Sequence, residues 1–171
     1  MDKVALDKIT YGLYVSGVKD EKYFGGCIVD AFVQVMLEPP TVIYSTMNKN
    51  RTTELLTAGT EFTISVLPDD VSPFIISNFG FQSARTTDKW ANVKHHIVDG
   101  LPVLDDVAAF FRCKVIDARN LGTHTLLYCS VLDATNTENK PLVYDTYRQS
   151  MKKEATDLFM AYKKTGVSPL L

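Results

Sequence analysis

Turn residues recur at short intervals along this sequence and leave only short apolar segments between them. Paired turn residues such as Gly25-Gly26 and Asp99-Gly100 divide the chain. Between two such turns, Phe62, Ile64 and Val66 alternate with polar residues, which is the period of two of half-buried antiparallel strands. We therefore predict a fold made mainly of short antiparallel strands.

The same reading predicts at least six strands and four peripheral helices. The strands cover residues 11–18, 27–35, 41–47, 62–66, 111–115 and 124–132, and the helices cover 2–8, 51–58, 72–78 and 148–164. The last helix has the clearest pattern, because Met151, Ala155, Phe159 and Tyr162 recur on one helical face. Closely spaced strands with few helices indicate a small barrel or a sandwich.

Length and charge limit the organisation and the partners. A chain of 171 residues can bury about 70% of its unfolded surface, so residues 1–171 are expected to form one self-supporting domain. The net charge of −2 lacks the basic excess that binds nucleic acid. No apolar run is long enough for a membrane span or a secretion signal, and we expect a cytoplasmic protein without a membrane partner.

The sequence contains no metal-binding pattern. Three cysteines, Cys27, Cys113 and Cys129, lie within apolar runs without a C-x-x-C spacing, so they are expected to be reduced core thiols. His95 and His96 are adjacent and would point to opposite faces of a strand, so they could not share one metal. The common nucleotide, zinc and esterase signatures are also absent.

Two places remain as candidates for ligand binding. His124 opens an apolar strand directly after Gly122-Thr123, where the mouth of a barrel can meet a ligand, although a structural histidine fits the same position. Residues 45–53 combine hydroxyls, amides and two cations between a strand and a helix. That composition suits a phosphate site, and it equally suits an ordinary helix start capped by Asn50.

Several segments, in order along the chain, resemble one family. They are Gly26-Cys27-Ile28-Val29 through Gln34-Val35 with the following Glu38-Pro39-Pro40, Asn48 to Leu55, Phe79 to Trp90, Gly100 to Leu104, Cys113-Lys114-Val115, Gly122 to Thr125 and Pro141 to Tyr144. In their order and spacing these segments resemble the flavin reductase-like FMN-binding proteins, which include flavoredoxins and the flavin half of high-molecular-weight rubredoxins. The resemblance implies a mainly β (α+β) fold: a six-stranded antiparallel split β-barrel with Greek-key character and peripheral helices.

The resemblance also implies which residues bind FMN, rather than FAD. Backbone at Ile28, Val29, Asp30 and Ala31, together with Gln34 and Val35, would flank the ring and ribityl chain, and Ser45 and Thr46 would add ring contacts. Asn48, Asn50, Arg51 and Thr53 would surround the phosphate, Lys89 would face the phosphate or the N1–O2 region, and Tyr147 would cover the ring. His124 would be the catalytic residue, near the flavin and the nicotinamide. Asp30 departs from the family, in which a small neutral residue is common at this position.

The activity that the resemblance implies is electron transfer from NAD(P)H through bound flavin to an acceptor: free flavin, a rubredoxin-like or flavodiiron carrier, or ferric iron. Two alternatives stay open, a flavoredoxin-like carrier without NAD(P)H activity of its own and a flavin-free binding protein of the same fold. Family members are homodimers, so a homodimer is expected. No paired C-x-x-C precedes Leu171, so an iron partner is expected to be a separate protein.

Overall fold

The structure is a computed structural model that describes all 171 residues, and its main element is a seven-stranded antiparallel sheet. The strands are β1 (Tyr14–Val18), β2 (Gly25–Val29), β3 (Phe32–Met36), β4 (Thr41–Met47), β5 (Glu61–Val66), β6 (His95–Val98), β7 (Leu101–Leu104), β8 (Ala109–Asn120) and β9 (His124–Asn136). The main sheet has the order β2-β1-β5-β8-β9-β4-β3, and β6 and β7 form a separate hairpin.

The main sheet closes around one core, but its two edge strands do not pair. β2 and β3 are consecutive in the chain and stand at opposite ends of the strand order, so the two-residue link Asp30–Ala31 joins the two edges. Every strand of the sheet contributes to one buried cluster, which contains Cys27, Phe32 and Leu127 among others. The sheet is therefore a barrel that is split between β2 and β3.

The helices lie outside the barrel. They are α1 (Arg51–Leu55), α2 (Pro73–Gly80), α3 (Tyr144–Thr146) and α4 (Lys152–Thr165), with 3-10 turns at Lys3–Lys8 and Trp90–Asn92. α2 packs against α4, and α1 and α2 both contact β2. Ser72 caps α2 through its side chain, and Pro73 follows at the first position, where its missing N–H costs nothing. None of these helices is long and apolar enough to cross a lipid bilayer.

The mainly β class and the split barrel were predicted correctly, whereas several boundaries were not. The main sheet has seven strands rather than six, because the predicted strand 27–35 is two strands that turn at Asp30. The β6–β7 hairpin was missed, although Asp99 and Gly100 have the positive φ angles of its turn. β8 and β9 are longer than predicted, with 12 and 13 residues.

The helix predictions also need correction at their ends. The N-terminal segment is a 3-10 helix, and α1 ends at Leu55 rather than residue 58. The C-terminal helix begins earlier than residue 148: α3 continues through a π-helical turn, Tyr147–Met151, into α4. Gly166 ends α4 in the left-handed conformation, with φ of 70°.

Candidate functional site

An apolar cavity of about 360 Å³ opens where the barrel is split. The link between the sheet edges lines it, together with the ends of β4 and β9, the C-terminal end of α2 and the beginning of α3. Nine predicted site residues line this apolar cavity: Ile28, Val29, Asp30, Ala31, Ser45, Thr46, Asn50, His124 and Tyr147.

One histidine and one carboxylate line this mostly apolar surface besides two tyrosines. His124 begins β9 opposite Met47 of β4, and its Nδ1 lies 2.9 Å from the Thr123 hydroxyl. Its Nε2 makes no hydrogen bond within the chain. Asp30 lies at the turn between β2 and β3, and its carboxylate has neither a hydrogen bond nor an ion pair with the protein. One proton-exchanging nitrogen and one unpaired carboxylate therefore remain available to a ligand.

A second, polar cavity of about 230 Å³ adjoins the first. Asn50, Gly80 and Phe81 line both cavities, so one elongated molecule can occupy the two together. Gly26 belongs to the polar cavity, and a Cβ at this position would lie 2.8 Å from the Phe79 ring. Only glycine lets β2 pack this closely against α2.

Lys89 brings a cation to the polar cavity from a buried position. Its ammonium donates hydrogen bonds to the carbonyl oxygens of Gly26, at 3.0 Å, and Phe79, at 2.8 Å. Burial lowers the pKa of Lys89 to about 8, because desolvation disfavours the charged form. An ammonium carries three protons, so one remains free for a ligand.

Arg51 also lines the polar cavity, but acidic side chains already neutralise its charge. Its guanidinium donates to both carboxylate oxygens of Asp20, at 2.7 and 2.8 Å, and to Glu54 at 3.1 Å. Arg85 donates to the same Glu54 carboxylate at 2.7 Å. These two arginines hold the pKa of Glu54 down at about 2. The network fixes α1 against the loop after α2 and leaves Lys49 and Lys89 as the unpaired cations of the cavity.

Two buried polar atoms at the polar cavity have no partner in the protein. They are the hydroxyl oxygen of Thr52, whose residue is 1% exposed, and the amide oxygen of Gln82. Leaving such atoms unpaired is costly, so both are suited to a polar ligand. Lys49 and Thr52 lie within the predicted segment 45–53, and Gln82 lies within the family-like segment Phe79 to Trp90, but none of the three was predicted as an individual cofactor residue.

Four predicted residues line neither cavity. Gln34 and Val35 are exposed on edge strand β3. Asn48 donates to Asn120 and the Gly122 carbonyl and accepts from Thr125, so it holds β4 against the β8–β9 turn. Thr53 donates to the Met47 carbonyl at 2.7 Å. Asn48 and Thr53 thus support the loop that carries the site, and their predicted contact with phosphate remains a prediction.

The cysteines are buried, and none forms a disulfide. Cys27 differs from the others because it also lines the polar cavity. Its sulfur lies 3.4 Å from the Ser16 hydroxyl and 3.6 Å from the Tyr44 hydroxyl. Burial raises the pKa of Cys129 to about 12 and raises the pKa of Cys113 further, so these two thiols stay protonated.

Comparisons with known proteins agree on one family. The family model described as "Flavin reductase like domain" matches residues 6–151. The chain is 35% identical over 152 residues to a high molecular weight rubredoxin of Moorella thermoacetica, an alignment that covers 87% of this chain and 66% of that relative. The chain thus spans just under two thirds of that relative's length.

Two further matches cover most of both proteins. A ferric-chelate reductase (NAD(P)H) of Archaeoglobus fulgidus is 28% identical over 159 residues, which is 91% of this chain and 94% of that protein. The solved styrene monooxygenase flavin reductase of Pseudomonas putida S12 superposes with a TM-score of 0.69 and 28% identity, over 81% of this chain and 88% of the other. With a matching family model over most of its length and the same split barrel, this chain belongs to the flavin reductase-like domain family.

Proposed function

We propose that the chain is an FMN-binding oxidoreductase that passes electrons from NAD(P)H through the bound flavin to an acceptor. The observation that carries this proposal is the pair of adjoining cavities, one apolar and one polar, that meet at Asn50, Gly80 and Phe81. A flavin mononucleotide has the same division, with a flat ring at one end and a phosphate at the other.

The residues present fit this cofactor. Ile28, Val29 and Tyr147 offer the ring an apolar surface, and the backbone near Asp30 and Ala31 supplies polar groups at its edge. In the polar cavity, Lys89 and the Thr52 hydroxyl can donate to the phosphate, while the unpaired Gln82 oxygen can accept from a ribityl hydroxyl. The two orphaned buried atoms thereby acquire partners.

Bound FMN would supply the redox chemistry, namely hydride acceptance and the release of electrons singly or in pairs. The chain supplies orientation and a proton. His124 Nε2 is free of protein partners, so it can donate a proton to a group bound in the apolar cavity. Asp30, the unpaired carboxylate of the apolar cavity, opposes negative charge on the ring.

For the acceptor, we propose free flavin, a rubredoxin-like carrier or ferric iron. The similarity to a high molecular weight rubredoxin supports a carrier protein, and the similarity to a ferric-chelate reductase supports iron. The rubredoxin match also favours a second candidate function, that of a carrier that receives electrons from another reductase and does not react with NAD(P)H.

Anaerobic mixing of the FMN-loaded protein with NADH, followed at 450 nm, tests the proposal. We expect rapid bleaching of the flavin absorbance. Bleaching by a reduced carrier protein, but not by NADH or NADPH, would establish the second candidate instead. A protein that fails to take up FMN at micromolar concentration would contradict both and leave a flavin-free binding protein of the same fold.

We also propose that two copies of the chain associate through β3. This edge strand has no partner on one side, and Val33, Val35 and Met36 are each at least 40% exposed along it. An exposed apolar edge favours pairing with another chain, and a two-fold dimer covers the same patch on both copies. Gln34 and Val35, which lie outside the cavities, would belong to this interface.

A further inference from the structure

A third cavity, the terminal cleft, lies between the N-terminal 3-10 turn and the beginning of the C-terminal helix. It encloses about 390 Å³, which is within the range of small-molecule sites. None of the predicted site residues lines it. Its lining includes Leu6, Asp7, Tyr11, Tyr144 and Arg148, so the terminal cleft combines aromatic rings with both signs of charge.

A row of tyrosines leads from the apolar cavity to the terminal cleft. Tyr147 lines the apolar cavity, Tyr144 lines both, and Tyr11 lines the cleft. The Tyr144 ring centroid lies 5.9 Å from that of Tyr147 and 6.3 Å from that of Tyr11. Tyr144 therefore lies where the two spaces adjoin.

Most charged side chains of the terminal cleft already form hydrogen bonds within the protein. Arg148 donates to Asp7 at 2.8 Å, and its guanidinium lies 6.0 Å from the Tyr144 ring centroid. Gln149 donates to Asp145 at 2.6 Å. The arginine is thus paired, Lys8 lines the cleft without an ion pair, and the two carboxylates still offer acceptors for hydroxyl groups.

We propose that the terminal cleft binds the adenosine half of the dinucleotide electron donor, while the nicotinamide half extends past Tyr144 into the apolar cavity. The inference rests on the proposed function. The adenine packs against Tyr11, and the ribose hydroxyls lie near Asp7 or Asp145, in the way that an acidic residue binds the 2′-hydroxyl in other dinucleotide sites. A 2′-phosphate would meet these carboxylates and the unpaired Lys8 together.

The first test compares NADH with reduced nicotinamide mononucleotide, which lacks the adenosine half. FMN-loaded protein is mixed with each donor in a stopped-flow instrument, and the dissociation constant and limiting rate are obtained from the concentration dependence. For Tyr11→Ala we expect about a tenfold weaker affinity for NADH, in keeping with the loss of one base–aromatic stack. The limiting rate and all constants for the mononucleotide should remain unchanged.

The matched control is Tyr23→Ala, because Tyr23 lines none of the three cavities. Isothermal titration of the FMN-loaded protein with ADP-ribose provides a readout that needs no turnover, and Tyr11→Ala should weaken this binding as well. Should Tyr11→Ala fold poorly, Tyr11→Leu keeps an apolar side chain but removes the ring, and the same result is expected.

The second test is Asp7→Asn, which removes a carboxylate and releases Arg148. We expect the affinity for NADPH to increase about tenfold while the affinity for NADH changes less than twofold. Unchanged relative affinities for NADPH and NADH in this variant would contradict the placement of the adenosine ribose beside Asp7.

An adenosine group could also belong to FAD, and the relative affinities for FMN and FAD distinguish the two sources. A Tyr11→Ala variant that loses affinity for FAD but not for NADH would overturn the inference, as would equal losses with NADH and the mononucleotide. A wild-type protein that NADH does not bleach would contradict the proposed function instead. The ADP-ribose titration would then test by itself whether the terminal cleft binds an adenosine group.

Discussion

The buried ammonium of Lys89 donates a 3.0 Å hydrogen bond to the carbonyl oxygen of Gly26, and so joins the segment after α2 to edge strand β2. The same nitrogen donates to Phe79 at the C-terminal end of α2. One side chain thus holds together two walls of the polar cavity.

Replacing Lys89 by methionine should therefore weaken both the fold and the retention of cofactor. Two buried carbonyl oxygens would lose their donor, which we expect to cost about 3 kcal/mol of unfolding free energy. Urea unfolding of the apo and FMN-loaded forms measures the two effects. Lys152→Met, at an exposed lysine of α4, is the control. An unchanged FMN dissociation constant in Lys89→Met would contradict the assignment of Lys89 to the cofactor.

The Glu54 network should give a specific pH dependence. Its partners lower the pKa of Glu54 from 4.5 to about 2 in the folded chain, so its stabilisation is present above pH 4.5 and is lost as the pH falls through 2. Glu54→Gln should slightly lower the Tm at pH 7, and the difference from wild type should close near pH 2. Glu138→Gln, at an exposed and unpaired glutamate, should show no such pattern. A difference that stays constant with pH would contradict the ion-pair explanation.

Removing the charge of Asp30 should make the bound flavin easier to reduce. A carboxylate beside the ring disfavours the negative charge of the reduced form. We therefore expect Asp30→Asn to raise the two-electron midpoint potential by about 20–40 mV, which corresponds to roughly 1–2 kcal/mol. Spectroelectrochemical titration measures the shift, and Asp70→Asn in an exposed loop should leave the potential unchanged. A lower potential in Asp30→Asn would exclude this role.

His124→Ala should slow flavin reduction without releasing the flavin. Loss of a positioned proton donor typically costs about 10²-fold in rate, whereas the apolar lining that holds the ring would remain. Stopped-flow reduction by NADH gives the rate, and fluorescence titration gives the FMN affinity. His96→Ala is the control, because the His96 side chain hydrogen-bonds only to Asp105 and lines neither the apolar nor the polar cavity. Equal rates in His124→Ala and wild type would remove His124 from the mechanism.

A charge on edge strand β3 should separate the two proposed copies. We expect Val35→Lys to sediment as a monomer at micromolar concentration, because it places a buried ammonium in an apolar interface. Met160→Lys, at an exposed residue of α4, should not change the sedimentation coefficient. A wild-type protein that is already monomeric at this concentration would contradict the dimer.

The sequence predicted the strands where alternation is local, as at Phe62, Ile64 and Val66. It failed at residues 27–35, because an almost continuous apolar run extends on both sides of Asp30. Nothing local indicates that the two halves belong to opposite edges of the sheet. The Asp99-Gly100 turn was visible, but its flanking strands are only four residues long.

The candidate site shows the same limit. Backbone positions near residue 28 and the loop at 45–50 could be found from motif order, since the barrel places them at one opening. The environment of single side chains could not be found in this way. The sequence presents Arg51 as a cation available to a phosphate. In the structure it forms an ion pair with Asp20, about thirty residues earlier. Thr52 reads as an ordinary helix residue, and only packing against β2 buries its hydroxyl.

The unpaired edges of the barrel have a consequence for the life of the protein. A ligand that contacts Ile28 on one edge and Ser45 beside the other edge links two sheet edges that no backbone hydrogen bonds join. Such a ligand stabilises the folded chain by an amount that grows with its free concentration relative to its Kd. With the proposed flavin as that ligand, cofactor supply would set the resistance of the chain to heat and proteases as well as its rate of turnover.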